Sequence, residues 1–190
     1  MPPERVRAIL GALFAPQSGG LDPERSGTAQ ALATALDRAR AHGWVALPLG
    51  LHAVADAREL AGVHAAIALQ GVRHGRPSAP TAMVSAGPVR VAPGADPAAQ
   101  FLLALALSLD EHSAIYAYAL GPGSGGGAPG AGYFMAPATV ARAARSGWDP
   151  GARLLAGEAA ALFAQLGDAQ AAQFPGSETD VLRVIFLTPE

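Results

Sequence analysis

The groups in this chain that could do chemistry are five histidines, scattered carboxylates, a few serines and a run of glycines. Gly121, Gly123 and Gly126 spell Gly-x-Gly-x-x-Gly directly after an apolar stretch at residues 114–120, where a dinucleotide fingerprint would follow its strand. Ser124, inside that run, could hydrogen-bond an anion. A phosphate cradle, however, must open directly onto a helix whose N-terminus holds the pyrophosphate. Here Pro122, Pro129 and further glycines intervene, and seven of the twelve residues at 121–132 are glycine, so the spacing predicts a mobile crossing. For metals, His52 and Asp56 stand four apart and Asp110, Glu111 and His112 are consecutive, but neither set matches a ligand signature. Residues 110–112 read as a solvated turn after a helix, His64 as a core-edge residue beside Val63 and Ile67, and no metal site is expected. No Gly-x-Ser-x-Gly elbow occurs, and sequence alone gives Ser85 and Ser177 no base. The residues by themselves therefore nominate no catalytic group.

Absences narrow the chemistry further. The 190 residues include no cysteine, lysine or asparagine, which removes thiol nucleophiles, disulfides, thiolate metal sites, Schiff bases and the Walker A lysine. Abundant alanine, glycine, proline and arginine beside those absences also fit a GC-rich coding bias. Thirteen basic against fifteen acidic residues leave a formal charge of -2, too little to collect phosphates by counterion release, so no nucleic-acid partner is expected. The longest apolar run, residues 101–109, is far short of the roughly 20 residues that cross a bilayer. Glu4 interrupts any signal-peptide n-region, and the expectation is a cytoplasmic protein with no membrane partner.

The elements that must position these groups can be read from periodicity. Val6, Ile9, Leu10, Leu13 and Phe14 fall on one stripe of an amphipathic helix at residues 3–15, followed by a linker rich in glycine and proline. The chain thus divides into an N-terminal helix and linker, 1–25, and one domain, 26–190. Ser26 or Thr28 could cap a helix at 28–42 carrying Leu32, Leu36 and Ala39 inward. A short buried strand is expected at 44–49, and a long helix at 54–72 with Leu60, Val63, Ile67 and Leu69 on or near one face, ended by Gly75 and Pro77. Two short strands, 81–85 and 89–92, read as separated by Gly87-Pro88. Asp96-Pro97 then offers an N-cap and a first-turn proline. Residues 101–109 alternate with period two, but the cap and the run of alanine and leucine favour a helix. Further expectations are a strand at 114–120, helices near 138–145 and 151–166 with Asp149 as a cap, and a continuous apolar final strand at 181–188. Strands alternating with helices argue for an α/β fold, a layered sheet with helices on both faces.

Several segments, read in order, resemble the C-terminal half of type-2 glycerate kinases, often labelled hydroxypyruvate reductases, whose terminal portion is the MOFRL domain, a Rossmann-like α/β unit. Residues 31–49, with Gly43-Trp44 before the strand, resemble the family's lead-in. Residues 61–77 resemble its next helix, especially at His64-Ala65-Ala66 and Gly75-Arg76-Pro77. Ser85-Ala86-Gly87 is similar to its Ser-Gly-Gly. Residues 101–109 and 139–149, Leu166-Gly167-Asp168 and Leu182-Arg183-Val184 are the nearest stretches, so the resemblance covers residues 28–190.

The resemblance implies ATP-dependent phosphorylation of glycerate in a cleft between this domain and a larger N-terminal one that these residues do not include. It also implies that the polar motifs are degenerate. The family's Gly-Gly-Arg-Asn-Gln-Glu falls on residues 95–100, putting Pro97, Ala98 and Gln100 at its arginine, asparagine and glutamate. Its Gly-Thr-Asp-Gly-x-Asp-Gly falls on 121–127, putting Gly123 and Gly126 at both aspartates, and its Gly-Pro-Thr-Gly-Thr-Asn is replaced at 173–178. Phosphoryl transfer needs such groups to neutralise charge. The expectation is a pseudoenzyme that binds or assembles, without a cofactor. The alternative is a split-kinase subunit, using ATP and magnesium, completed by a protein carrying the N-terminal domain. The ligand-loop candidates are Ser85, Gly87, Gly121, Gly123, Ser124 and Gly126. The N-terminal helix is expected to cover apolar surface of its own chain or of a partner in a homodimer.

Overall fold

The computed structural model of the chain describes residues 27–50, 54–110, 112–122, 130–172 and 180–189. The expected helix at 3–15, its linker, and residues 123–129 with Gly123, Ser124 and Gly126 lie outside the described residues, as do His52, Glu111 and Ser177. In chain order the elements are α1 (Gly27–Ala41), β1 (Val45–Gly50), β2 (Ala55–Asp56), α2 (Ala57–His74), β3 (Thr81–Arg90), α3 (Pro97–Leu109) and β4 (Ile115–Gly121). They continue with β5 (Ala131–Met135), α4 (Thr139–Arg145), α5 (Pro150–Leu155), α6 (Ala159–Gln165), β6 (Ala169–Ala171) and β7 (Asp180–Leu187). The strands form one mixed sheet in the order β1-β3-β7-β4-β5-β6, with β2 also paired to β3. β1 and β2 run parallel to β3, and every other pair is antiparallel.

Period-two alternation splits the central strands between two cores. On one face, Met83, Ile115, Ala117, Ala119, Val181, Ile185 and Leu187 pack under α2 and α3. On the other, Val84, Tyr116, Tyr118, Leu182, Val184 and Phe186 join Leu32, Leu36 and Ala39 of α1. This is the expected layered sheet with helices on both faces. α3 is apolar all round because it has no wet side in its first three turns: α2 flanks it, α5 and α6 contact it, and β4 and β5 lie beneath. Ala117 and Ala119 in β4 leave room for its larger side chains. The expected Asp96 cap is present, accepting from the Ala99 amide at 2.9 Å, with Pro97 in the first turn.

Several expectations are corrected. β3 is one ten-residue strand rather than two short ones: Gly87 takes φ 134° within it, and Pro88 sits on the last rung of the ladder with β7, where a missing amide costs no interior bond. β1 is an exposed edge strand rather than a buried one, and Val45 at its start is 57% exposed. α2 begins at Ala57 because Asp56 and Glu59 make a reciprocal capping box, and it turns Ala61, His64, Ala65, Ala68 and Gly71 inward while Val63 is 59% exposed. Small residues face inward there because the helix sits close to its neighbours. A β-carbon on Gly71 would fall 2.5 Å from Leu187 and 2.9 Å from the Pro77 carbonyl oxygen. The helix expected at 151–166 is two, α5 and α6, divided by Gly157 at φ 78°. β5 and β6 were not anticipated: Ala131 and Gly132 belong to a strand, not to the glycine crossing. Thr28 is not a cap; its hydroxyl donates to the Asp180 carboxylate at the head of β7.

Gly132 is held to glycine by the tyrosine beside it. A β-carbon there would lie 1.8 Å from the Tyr118 hydroxyl oxygen, and that ring is fully buried with its hydroxyl accepting from Gln170 Nε2 at 2.9 Å. Gly132→Ala is expected to cost about 1–3 kcal/mol by overpacking, read as a lower urea midpoint with an unchanged slope.

A candidate buried polar site

Among the described residues the sheet interior carries one cation, Arg183, in the middle of β7 with none of its surface exposed. Antiparallel register sets it directly opposite Ser85 of β3, so both side chains point toward α2 and α3. Arg183 Nε donates to Ser85 Oγ at 2.9 Å, and Nη1 reaches the Gly87 carbonyl oxygen at 3.4 Å. From α2, His64 Nε2 lies 2.8 Å from Ser85 Oγ, while His64 Nδ1 lies 2.8 Å from the Leu60 carbonyl oxygen. A carbonyl can only accept, so Nδ1 carries the proton, Nε2 accepts from the Ser85 hydroxyl, and Ser85 accepts from the arginine. Phe101 of α3 closes the cluster. Its ring meets His64 edge-on with centroids 5.3 Å apart and lies 5.7 Å from the Arg183 guanidinium carbon.

Burial dominates the electrostatics. It pulls the His64 pKa from 6.5 down to about 4, with the Arg183 charge adding to the fall and the Leu60 hydrogen bond opposing it. Burial also lowers Arg183 to about 10, against the pull of Asp180, so arginine is cationic and histidine neutral at pH 7. Among the described residues two buried donors have no hydrogen-bond partner, Arg183 Nη2 and Gln100 Nε2, the latter in the first turns of α3. Such orphans are costly, about 1–3 kcal/mol for a buried group and more when it is charged. Nearby in sequence, Asp96 is fully engaged: besides capping α3 it accepts from the Tyr133 hydroxyl at 2.9 Å. Burial, reinforced by the charge and hydrogen bond of Asp96, raises the Tyr133 pKa.

The structure therefore brings two of the sequence candidates together, Ser85 and Gly87. Gly121 ends β4 at the same end of the sheet, where a β-carbon would meet Ala98 at 3.2 Å and Val181 at 3.5 Å. His64 and Arg183 were missed as site residues. The signal for Arg183 was in plain view, a charge inside a strand read as continuously apolar. A serine bonded to a histidine whose far nitrogen is held by a carbonyl is the arrangement of an activated nucleophile. Here Ser85 is only 2% exposed and its oxygen already accepts from Arg183, so its bonds all run within the core. Of the expected metal candidates, Asp56 is a helix cap, Asp110 closes α3 at φ 48°, and among the described residues no three His, Cys, Asp or Glu side chains converge to hold an ion.

No protein-family model matches the chain, and no curated protein matches its sequence. The fold itself is shared with solved structures, one of them a glycerate kinase. A glycerate kinase from Thermotoga maritima superposes with a TM-score of 0.75 at 17% identity, over 85% of this chain and 40% of that one. The PH0495 protein from Pyrococcus horikoshii superposes at 0.69 with 16% identity, over 86% of this chain and 39% of that one. The chain thus spans about two fifths of the length of these neighbours.

Proposed function

We propose that the chain is a noncatalytic relative of one domain of glycerate kinases, acting as a binding or assembly protein. The observation that carries this reading is Arg183: a wholly buried cation whose Nε and Nη1 are committed to Ser85 and Gly87 while Nη2 has no partner. A buried charge adds little to stability compared with a packed apolar side chain, so its presence favours recognition over architecture. The resemblance puts Pro97, Ala98 and Gln100 where its kinases have arginine, asparagine and glutamate, and all three are buried in α3. Ser85 is spent on internal bonds, and Asp96 is spent on Ala99 and Tyr133. The glycerate kinase neighbour is more than twice as long, which leaves one competitor: a second polypeptide supplies the rest and the pair is active.

A melting-temperature screen of the wild-type chain and Arg183→Met tests the binding reading, because a ligand that binds only the folded state raises apparent stability. Without ligand, Arg183→Met is expected to melt at the same temperature or higher. Among small carboxylic and phosphoric acids, at least one is expected to raise the wild-type midpoint and leave Arg183→Met unmoved. A variant that melts far lower, with no acid acting on the wild type, would make Arg183 structural and overturn the reading.

A further inference from the structure

One face of α2 is not accounted for by the chain's own packing. Its inner side, with Leu60, Ala61, His64, Ala65, Ala68 and Gly71, is buried against the sheet and α3. Turned away from them, Glu59, Gly62, Val63, Ala66, Gln70 and Arg73 are exposed, and their helical spacing puts them on the outer surface together. Two of them are out of place on a solvated helix. Val63 is 59% exposed. Gly62 sits in the helix interior, where glycine weakens a helix and alanine would strengthen it. Gly71 has a reason within the chain, since a β-carbon there would strike Leu187, but a β-carbon on Gly62 would meet nothing within 4 Å. The missing β-carbon at Gly62 leaves the backbone open to close approach from outside the chain.

We propose that this face docks on the same face of a second copy of the chain, the two α2 helices running antiparallel about a two-fold axis at Ala66. Charge selects that occupant. Glu59 lies near the N-terminal end of the face and Arg73 near its C-terminal end, each seven residues from Ala66. An antiparallel two-fold therefore sets Glu59 of each copy against Arg73 of the other, so one self-complementary contact makes both ion pairs. A parallel pairing would set like charges together. Both groups are available for this. Glu59 accepts from the Asp56 amide through Oε2 alone, and the neighbouring Arg58 is turned to the Asp56 carboxylate, 3.6 Å away. At the axis Ala66 meets Ala66 of the second copy, Gly62 lets the backbones approach, and Val63 leaves water. A single helix pair buries less than the roughly 1,200 Å² of a standard interface, so this dimer exchanges with monomer. The assignment goes beyond the proposed function and does not rest on it, because Arg183 and Ser85 lie on the inner side of α2, beneath His64.

The test is the mass of the full chain in solution, by sedimentation from micromolar to millimolar concentration. The mass is expected to rise toward that of two chains. Glu59→Arg and Arg73→Glu are each expected to weaken association about tenfold, since each turns both ion pairs into like-charge contacts. An equimolar mixture of these two variants is expected to regain wild-type association, because each then supplies the charge that the other lacks. A wild-type mass of one chain at every concentration would overturn the proposal. Variants that associate like wild type, or a mixture that stays as weak as its parts, would also overturn it. Gly62→Gln decides the matter if either charge variant fails to fold. It fills only open space in the single chain, so it is expected to melt no lower than dilute wild type and to stay monomeric, whereas wild-type association by Gly62→Gln contradicts the docking.

Discussion

Phe101→Ala is expected to cost the domain about 3–5 kcal/mol, the range for removing a buried aromatic ring from a core that cannot collapse into the space. Phe101 is wholly buried in α3 and touches two walls of different character. On one side are the apolar residues of α2 and the sheet. On the other are the edge of His64 and the guanidinium of Arg183. Deleting the ring removes dispersion contacts and also opens space beside a buried cation that already has one unbonded nitrogen. Phe101→Leu, which keeps most of the volume, is expected to lose less than half as much. Urea unfolding of the three proteins checks this. Equal losses for alanine and leucine would show that the ring itself matters more than the filled space.

Acid is expected to destabilise the domain through His64 by about 3 kcal/mol, from 1.36 kcal/mol for each unit of its pKa shift. The folded-state value is depressed to about 4 from 6.5. Between those values the unfolded chain binds a proton that the folded one refuses, so stability rises with pH across this window. The contribution is complete above pH 6.5 and is lost as pH falls toward 4. Carboxylates titrate near the lower end too, so the measurement is a difference. Unfolding free energies of wild type and His64→Gln are compared from pH 7 to pH 4.5, and over that range the gap between the curves is expected to change by about 2 kcal/mol, most of the full effect. Parallel curves would mean that His64 takes up its proton in the folded state at its ordinary value.

Much of the fold was legible because local chemistry and tertiary packing agreed. Asp96-Pro97 announced α3 although residues 101–109 alternate like a strand, and burial on both flanks explains why alternation there carried no strand information. The final strand and β4 were legible as short apolar runs. β1 was placed correctly but read as buried, since an edge position depends on which strands pair and not on local composition. On α2, Leu60 is in the core and Ile67 and Leu69 pack against it, but Val63 points out, and close packing against β7 and the Pro77 carbonyl puts alanine and glycine at the centre of the inner face. In β3, Gly87-Pro88 spelled a break that the end of the ladder with β7 tolerates.

The site was legible only in part, for a physical reason. Ser85 and Gly87 stood out through the resemblance, but the partners that give Ser85 its role are 21 and 98 residues away in the chain. The Ser85–Arg183 pairing follows from sheet register, and a slip of one residue would send Arg183 to the opposite face. His64, read as a core-edge residue, is in the core, and its ring is bonded at both nitrogens.

The noncatalytic reading is tested most directly by turnover. Purified chain, freed of copurifying kinase and incubated with ATP, magnesium and glycerate, is expected to form no more phosphoglycerate than a protein-free control. ATP-dependent product well above that control, diminished in Ser85→Ala or Arg183→Met, would contradict the account and place this chain among the kinases whose fold it shares.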